Sequence, residues 1–194
     1  MISAIILAAG KSARMGQNKL LMKWGDATVL GKVIQTIRDS GIEDIVLVTS
    51  DEMRNTNNKL VKNYDLRITI NNTNHEMLSS IQLGLQNQKA ESEAAIICLG
   101  DQPQIESRSV RAVCEAYQKS KSNLVAPSYQ NRRGHPWLIA KPLWGEILNM
   151  KENQTPRDFL NQYANQIEYV NVDTPTILQD LDTPEDYLKY KPNV

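Results

Sequence analysis

Lys11, Arg14 and Lys19 crowd one short N-terminal segment, spaced around Gly10 and Gly16. They follow an apolar run, Ile2 to Leu7, that reads as a buried first strand. Glycines allow close backbone approach to a ligand, and free N–H groups beside cations suit phosphate oxygens. This pattern points to a nucleotide triphosphate site. It is not a Walker A loop, because five residues separate Gly10 from Gly16 and Gln17-Asn18 precede Lys19. Nor does it contain the G-x-G-x-x-G of dinucleotide-binding turns. Taken alone, the loop also fits a solvated basic turn.

Three further clusters carry chemistry. Gly100-Asp101-Gln102-Pro103 follows the apolar run Ile96–Leu99. Ligands of open parallel sheets sit beyond the carboxyl ends of strands, and magnesium prefers one or two carboxylates plus phosphate oxygens. Asp101 is therefore a candidate metal ligand, although these four residues also suit a plain turn. Near the C-terminus, Asp180 and Asp182 alternate within Gln179-Asp-Leu-Asp-Thr-Pro-Glu-Asp186. They are expected to point to opposite sides, so that only one of them faces a crevice. The same residues also fit a helix-capping cluster, with Glu185 and Asp186 serving the helix N-terminus. Arg132-Arg133-Gly134-His135-Pro136 forms a small cationic group suited to phosphate or carboxylate. A lone histidine such as His135 is more often structural than catalytic.

Leu7-Ala-Ala-Gly-Lys-Ser-Ala-Arg-Met-Gly-Gln-Asn-Lys19 resembles the signature L-A-A-G-x-S-x-R-M-G-x-x-K of nucleotidyltransferases, meeting every specified position. Within that group the chain is similar to the molybdenum cofactor cytidylyltransferases, which are related to the guanylyltransferases of the same cofactor. The resemblance implies a Mg2+-dependent enzyme that transfers CMP from CTP to the phosphate of molybdenum-molybdopterin and releases pyrophosphate. It implies that Lys19, Arg14 and Asp101 are catalytic. Leu7, Ala8, Ala9, Gly10, Lys11, Ser12, Ala13, Arg14 and Lys19 would bind the nucleotide. Ser79 and Ser80 would border the base, in a segment where Glu76 replaces the usual glycine. Asp101 and Asp182 would hold the metal, with Asp180 the fallback. Gln102, Arg133 and His135 would serve the acceptor. The alanine at position 9, where the guanylyltransferases carry glycine, narrows the pocket against a purine. Alternatives are another phosphate acceptor such as a sugar or polyol phosphate, GTP as donor, or a non-catalytic molybdopterin carrier for a molybdenum hydroxylase apoenzyme.

The elements that must position these residues follow from apolar patterning. Ile2–Leu7, Ile45–Thr49, Ile68–Ile70, Ala94–Leu99 and Leu124–Ala126 read as strands covered on both faces. Val29–Ser40, Asp51–Asn63, Met77–Asn87 and Ser107–Ser120 read as helices between them. After residue 127 the rhythm breaks. A differently oriented strand, His135–Ala140, precedes helices at Pro142–Met150 and Thr155–Tyr163, a strand at Ile167–Val172 and a last helix opened by Thr183-Pro184. The pattern predicts a single three-layer α/β domain over 1–194 with a mainly parallel central sheet, a Rossmann-like, GT-A-like nucleotidyltransferase fold. Residues 1–127 would bind nucleotide and 128–194 the acceptor.

The chain has 194 residues, enough for one substantial core. Its 22 basic and 22 acidic residues balance, so no global charge points to nucleic acid or an anionic membrane. Cys98 and Cys114, outside any C-x-x-C pattern, read as buried thiols of a cytoplasmic protein. The first apolar run is too short for a signal-peptide core, and no apolar segment is long enough to span a bilayer.

Overall fold

The computed structural model describes residues 1–10, 18–53, 63–72 and 76–192. Its centre is an eight-stranded sheet. Strands β1 (Ile2–Ala8), β4 (Ile45–Thr49), β5 (Arg67–Ile70) and β6 (Ala94–Leu99) form the parallel half, in the order β5-β4-β1-β6. β9 (Trp137–Ala140) then pairs antiparallel with both β6 and β7 (Leu124–Tyr129). β10 (Ile167–Asn171) runs parallel to β7 at the edge, and the two-residue β8 (Arg132–Arg133) also pairs with β7. A separate small hairpin joins β2 (Lys23–Trp24) to β3 (Ala27–Thr28).

Among the described residues, five α-helices cover the sheet and a sixth docks beside it. On one face α1 (Val29–Asp39) and α3 (Ser107–Ser120) bury Val33, Ile37, Val110 and Val113 against Ala4 and Ile6 of β1. On the other, α2 (Met77–Gln86), α4 (Trp144–Leu148) and α5 (Pro156–Gln162) bury Ile81, Trp144, Ile147 and Phe159 against Ile5 and Ile97. Alternate residues of β1 thus feed opposite cores, as the two-residue period of a strand requires. Gly84 lets α2 lie directly on β1, because a methyl group there would overlap Ile5. The last helix, α6 (Pro184–Tyr190), docks on the small hairpin through Tyr187, whose hydroxyl donates to the Lys23 carbonyl at 2.6 Å.

The expected strand–helix alternation is present, and so is the antiparallel strand beyond residue 127. Thr28 caps α1, its hydroxyl accepting from Gly31 N–H at 3.0 Å, and Gly41 follows at φ +91°. Four expectations shift. β7 continues past Ala126 to Tyr129 through Pro127, held by β10 on one side and by β9 and β8 on the other. The expected helix over 142–150 is a 3₁₀ turn, Lys141–Leu143, followed by the shorter α4. The β2–β3 and β7–β8 hairpins were not foreseen, because each pairs only two residues. The helix expected over 51–63 is described only at its ends, where Asp51–Met53 form a 3₁₀ turn. The rest lies outside the described residues. No helix among the described residues is long and apolar enough to cross a membrane.

Candidate active site

β1 and β6 are neighbours, so their C-terminal tips meet. Gly100 N–H donates to the Leu7 carbonyl at 2.9 Å. A Cβ at Gly100 would sit 2.9 Å from that oxygen, so glycine is what permits the approach. Leu7 is half-buried and Ala8 and Ala9 are buried at this tip, while Gly10 is exposed. Lys11, Ser12, Ala13 and Arg14 lie outside the described residues.

The chain returns at Asn18, whose side chain accepts from Leu20 N–H at 3.1 Å and caps the 3₁₀ turn Lys19–Leu21. Leu20 is buried and anchors the turn. Lys19 is thereby aimed at the β6 tip. Its ammonium lies 2.5 Å from Asp101 Oδ2 and 3.5 Å from Asp182 Oδ1, and donates to the Leu181 carbonyl at 2.7 Å. Three residues from the start, middle and end of the sequence therefore converge on one point.

The third arm of this point is fixed by the backbone. Leu181 is fully buried and its N–H donates to the Asp101 carbonyl at 3.1 Å. Residues 179–182 are not a strand. Asp182 pairs with Lys19, and Asp180 is near enough to feel Asp182, Asp101 and Lys19. The expectation that only one of the two carboxylates faces the crevice is corrected: residues two apart on an extended segment share a side, and here Leu181 turns inward while Asp180 and Asp182 on either side of it are both exposed. Partial burial, then the like charges of Asp182 and Asp101, raise the Asp180 carboxyl above its usual range.

The donor set fits a magnesium ion. Asp101 and Asp182 already point at a single cation, the Lys19 ammonium, and magnesium characteristically takes one or two carboxylates with the remainder from phosphate and water. No group of three or more metal-binding side chains occurs among the described residues.

On the far side of β6 the acceptor candidates are placed by a hairpin. Gln130 and Asn131 adopt φ values of +49° and +62°, the tight turn that folds β8 back on β7. Arg133 then reaches α5, its Nη2 donating to Asn161 Oδ1 at 3.3 Å. Gly134 follows, where a methyl group would overlap the Ile177 carbonyl. His135 N–H donates to that same carbonyl at 2.9 Å. Burial, then the Arg133 charge, lower the His135 imidazole from its ordinary value to about 4, so it is neutral at physiological pH.

Arg133 and His135 line a cleft of about 420 Å³ together with Trp137, Leu160, Met77 and Arg157. Gln102 does not. It is buried, beside a small internal void that Pro136 also lines, so it backs the His135-Pro136 wall. Ser79 and Ser80 sit on the first turn of α2. Asn71, buried at the tip of β5, donates through Nδ2 to Ser79 Oγ at 3.0 Å and to Ser80 Oγ at 2.9 Å. Ser79 Oγ donates in turn to the Glu76 carbonyl at 2.9 Å. The serines thus belong to a polar knot tying β5 to α2. Neither Asn71 nor Arg157 was singled out by sequence. Asn71 had one available signal, its place directly after a strand, whereas Arg157 reads as an ordinary first-turn helix residue. Cys98 and Cys114 are buried free thiols, the first raised strongly by burial and the second to about 11 for the same reason.

Residues 4–167 match the family described as the MobA-like NTP transferase domain. The chain belongs to that family. It is 25% identical over 195 residues to a molybdenum cofactor cytidylyltransferase of Escherichia coli strain K12, covering 98% of this chain and 95% of that one. It is also 29% identical over 128 residues to a probable molybdenum cofactor guanylyltransferase of Natranaerobius thermophilus, covering 65% of this chain and 60% of that one. The fold matches Rv0371c of Mycobacterium tuberculosis H37Rv at a TM-score of 0.85 with 20% identity, over 100% of this chain and 99% of that one. A manganese complex of Rv0371c matches at 0.77, with 20% identity over the same shares. This protein is therefore a nucleotidyltransferase of the MobA-like family with a single α/β domain and a mainly parallel sheet.

Proposed function

We propose that the enzyme transfers CMP from CTP to the terminal phosphate of molybdenum-molybdopterin, with residues 1–127 serving the nucleotide and 128–194 the acceptor. The convergence of Lys19, Asp101 and Asp182 carries this reading. The near full-length similarity to a molybdenum cofactor cytidylyltransferase and the alanine at position 9 support CTP over GTP.

In the reaction an oxygen of the acceptor phosphate attacks the α-phosphorus of CTP. A new phosphorus–oxygen bond forms, the bond to the β-phosphate oxygen breaks, and pyrophosphate leaves with that electron pair. The acceptor phosphate is already anionic near neutral pH, so no strong general base is needed. Catalysis reduces to positioning and charge neutralisation. Lys19 delivers positive charge to the triphosphate, assisted by Arg14 and Lys11. Backbone N–H groups of 10–13 hold the β- and γ-phosphates, and Leu7, Ala8 and Ala9 approach the base through the backbone. Ser79 and Ser80, oriented by Asn71, border the base. Asp101 and Asp182 would hold Mg2+, with Asp180 beside them. That ion supplies Lewis-acid polarisation of the phosphate oxygens when bound. Arg133 and neutral His135 serve the acceptor, and Gln102 supports their wall from behind. The product would pass to a molybdenum hydroxylase apoenzyme in the cytoplasm.

Pyrophosphate release with CTP, GTP, ATP and UTP, each with and without molybdopterin, tests the reading. Release is expected only with CTP and molybdopterin together. Release with a sugar or polyol phosphate instead, or preference for GTP, overturns the acceptor or the donor. Pterin binding without any release identifies a carrier.

A further inference from the structure

The cleft beside Arg133 borders a second one. The first, of about 420 Å³, is lined by Arg133 and Arg157, and no carboxylate is among the residues lining it. The second, of about 570 Å³, shares Met77, Pro156 and Arg157 with the first and adds Glu76 and Glu152. The two thus adjoin along Met77, Pro156 and Arg157, with Arg133 on one side and the two glutamates on the other, and together they form one groove.

Of the charged groups here, Arg133 donates to Asn161 Oδ1 at 3.3 Å, whereas among the described residues Glu76 and Arg157 have no such bond. Glu76 precedes α2 but makes no side-chain cap bond. Among the described residues neither its carboxylate nor the Arg157 guanidinium makes a hydrogen bond or an ion pair. The neighbouring Asp158 is taken by Thr155, to which it is bonded at 2.8 Å. Lys19, Asp101 and Asp182 line neither cleft. The triphosphate has its own cation in Lys19, so the arginine pair is left for the acceptor.

We infer that this groove seats an acceptor with two unlike ends remote from its reacting phosphate. Arg133 and Arg157 clamp an anionic end, and Glu76 accepts from an amidine-like N–H edge. A guanidinium pair gives charge-assisted, fork-shaped hydrogen bonds to such an anion. A carboxylate matches the paired N–H donors of a 2-amino-pyrimidinone ring, and the apolar surface of Met77 and Pro156 suits the flat face of such a ring. A pterin bearing a dithiolene meets all three requirements. This inference rests on the proposed acceptor and adds Arg157 and Glu76 as its specificity-determining residues.

Equilibrium dialysis with metal-free molybdopterin, with the same compound after enzymatic removal of its phosphate, and with CTP tests the inference. Arg157→Gln is expected to weaken both pterin ligands about tenfold or more with CTP affinity unchanged, and Glu76→Gln to weaken them several-fold. Both positions are exposed, so thermal melting should match wild type. An Arg157→Gln variant that binds molybdopterin like wild type overturns the clamp while leaving the proposed function intact. An effect that vanishes on the dephosphorylated ligand assigns the arginines to the reacting phosphate and also overturns it. Wild-type protein that binds no molybdopterin sinks the proposed function, and the inference falls with it.

Discussion

The two ends of the active site are built by opposite means. The proposed nucleotide end hangs on the tips of adjacent parallel strands, β1 and β6, joined by the Gly100–Leu7 hydrogen bond. Its geometry follows from the sheet itself. The proposed acceptor end rests on an antiparallel hairpin and on a crossing segment, 175–182, that enters from the C-terminus. Ile177 holds Gly134-His135, and Leu181 holds Asp101. That single segment ties the two ends together, and both of its anchoring residues are fully buried. The difference implies that damage at the strand tips should cost chemistry, whereas damage at the crossing should cost acceptor geometry and stability.

Removing the charge at the strand tips should have the largest effect. Lys19→Ala and Asp101→Ala are each expected to lower turnover about a hundred- to a thousandfold, with circular dichroism and melting unchanged. Near-normal pyrophosphate release by both folded variants would erase the contrast. Gly134→Ala attacks the crossing instead, because its methyl group meets the Ile177 carbonyl. A loss of about 1–3 kcal/mol in urea unfolding is expected, with a raised KM for acceptor and little change for CTP. A raised KM for CTP of similar size would show that the two ends are not separable.

A pH titration sharpens the comparison at the acceptor end. The folded protein holds His135 near about 4, whereas the unfolded chain takes up that proton below about 6.5. The stability this represents is present above about pH 6.5 and is lost as pH falls towards about 4. Unfolding midpoints across that window should fall less steeply for His135→Asn than for wild type. Parallel curves would remove the half-buried neutral histidine from the account. The smallest effect is expected at the α6 cap. Thr183 and Asp186 bond reciprocally there, directly after Asp182. Thr183→Ala should cost about 1 kcal/mol and reduce activity modestly, read as a small shift in melting temperature.

Much of this protein was legible in its order of residues. The strands of the parallel half are unbroken apolar runs, so patterning alone located β1, β4 and β6. Cap residues located α1, α5 and α6, because Thr28, Thr155 and Thr183 act within a few residues of themselves. The identities of Lys19, Asp101 and Asp182 were also visible, each within a local motif. Short-range chemistry of this kind is written in adjacent letters. What adjacency does not encode is which distant segments meet. The pairing of β8 with β7, the seat of Arg157 beside Arg133, and the knot of Asn71 with Ser79 and Ser80 join residues with no shared pattern. The shared seat of Asp180 and Asp182 near Asp101 likewise depends on the tertiary burial of Leu181 between them, which fixes the side on which both carboxylates lie. Sequence determined the strands, the caps and the charged groups. Only the tertiary structure, by burying Leu181 and pairing β1 with β6, decided that Lys19, Asp101 and Asp182 meet at one point.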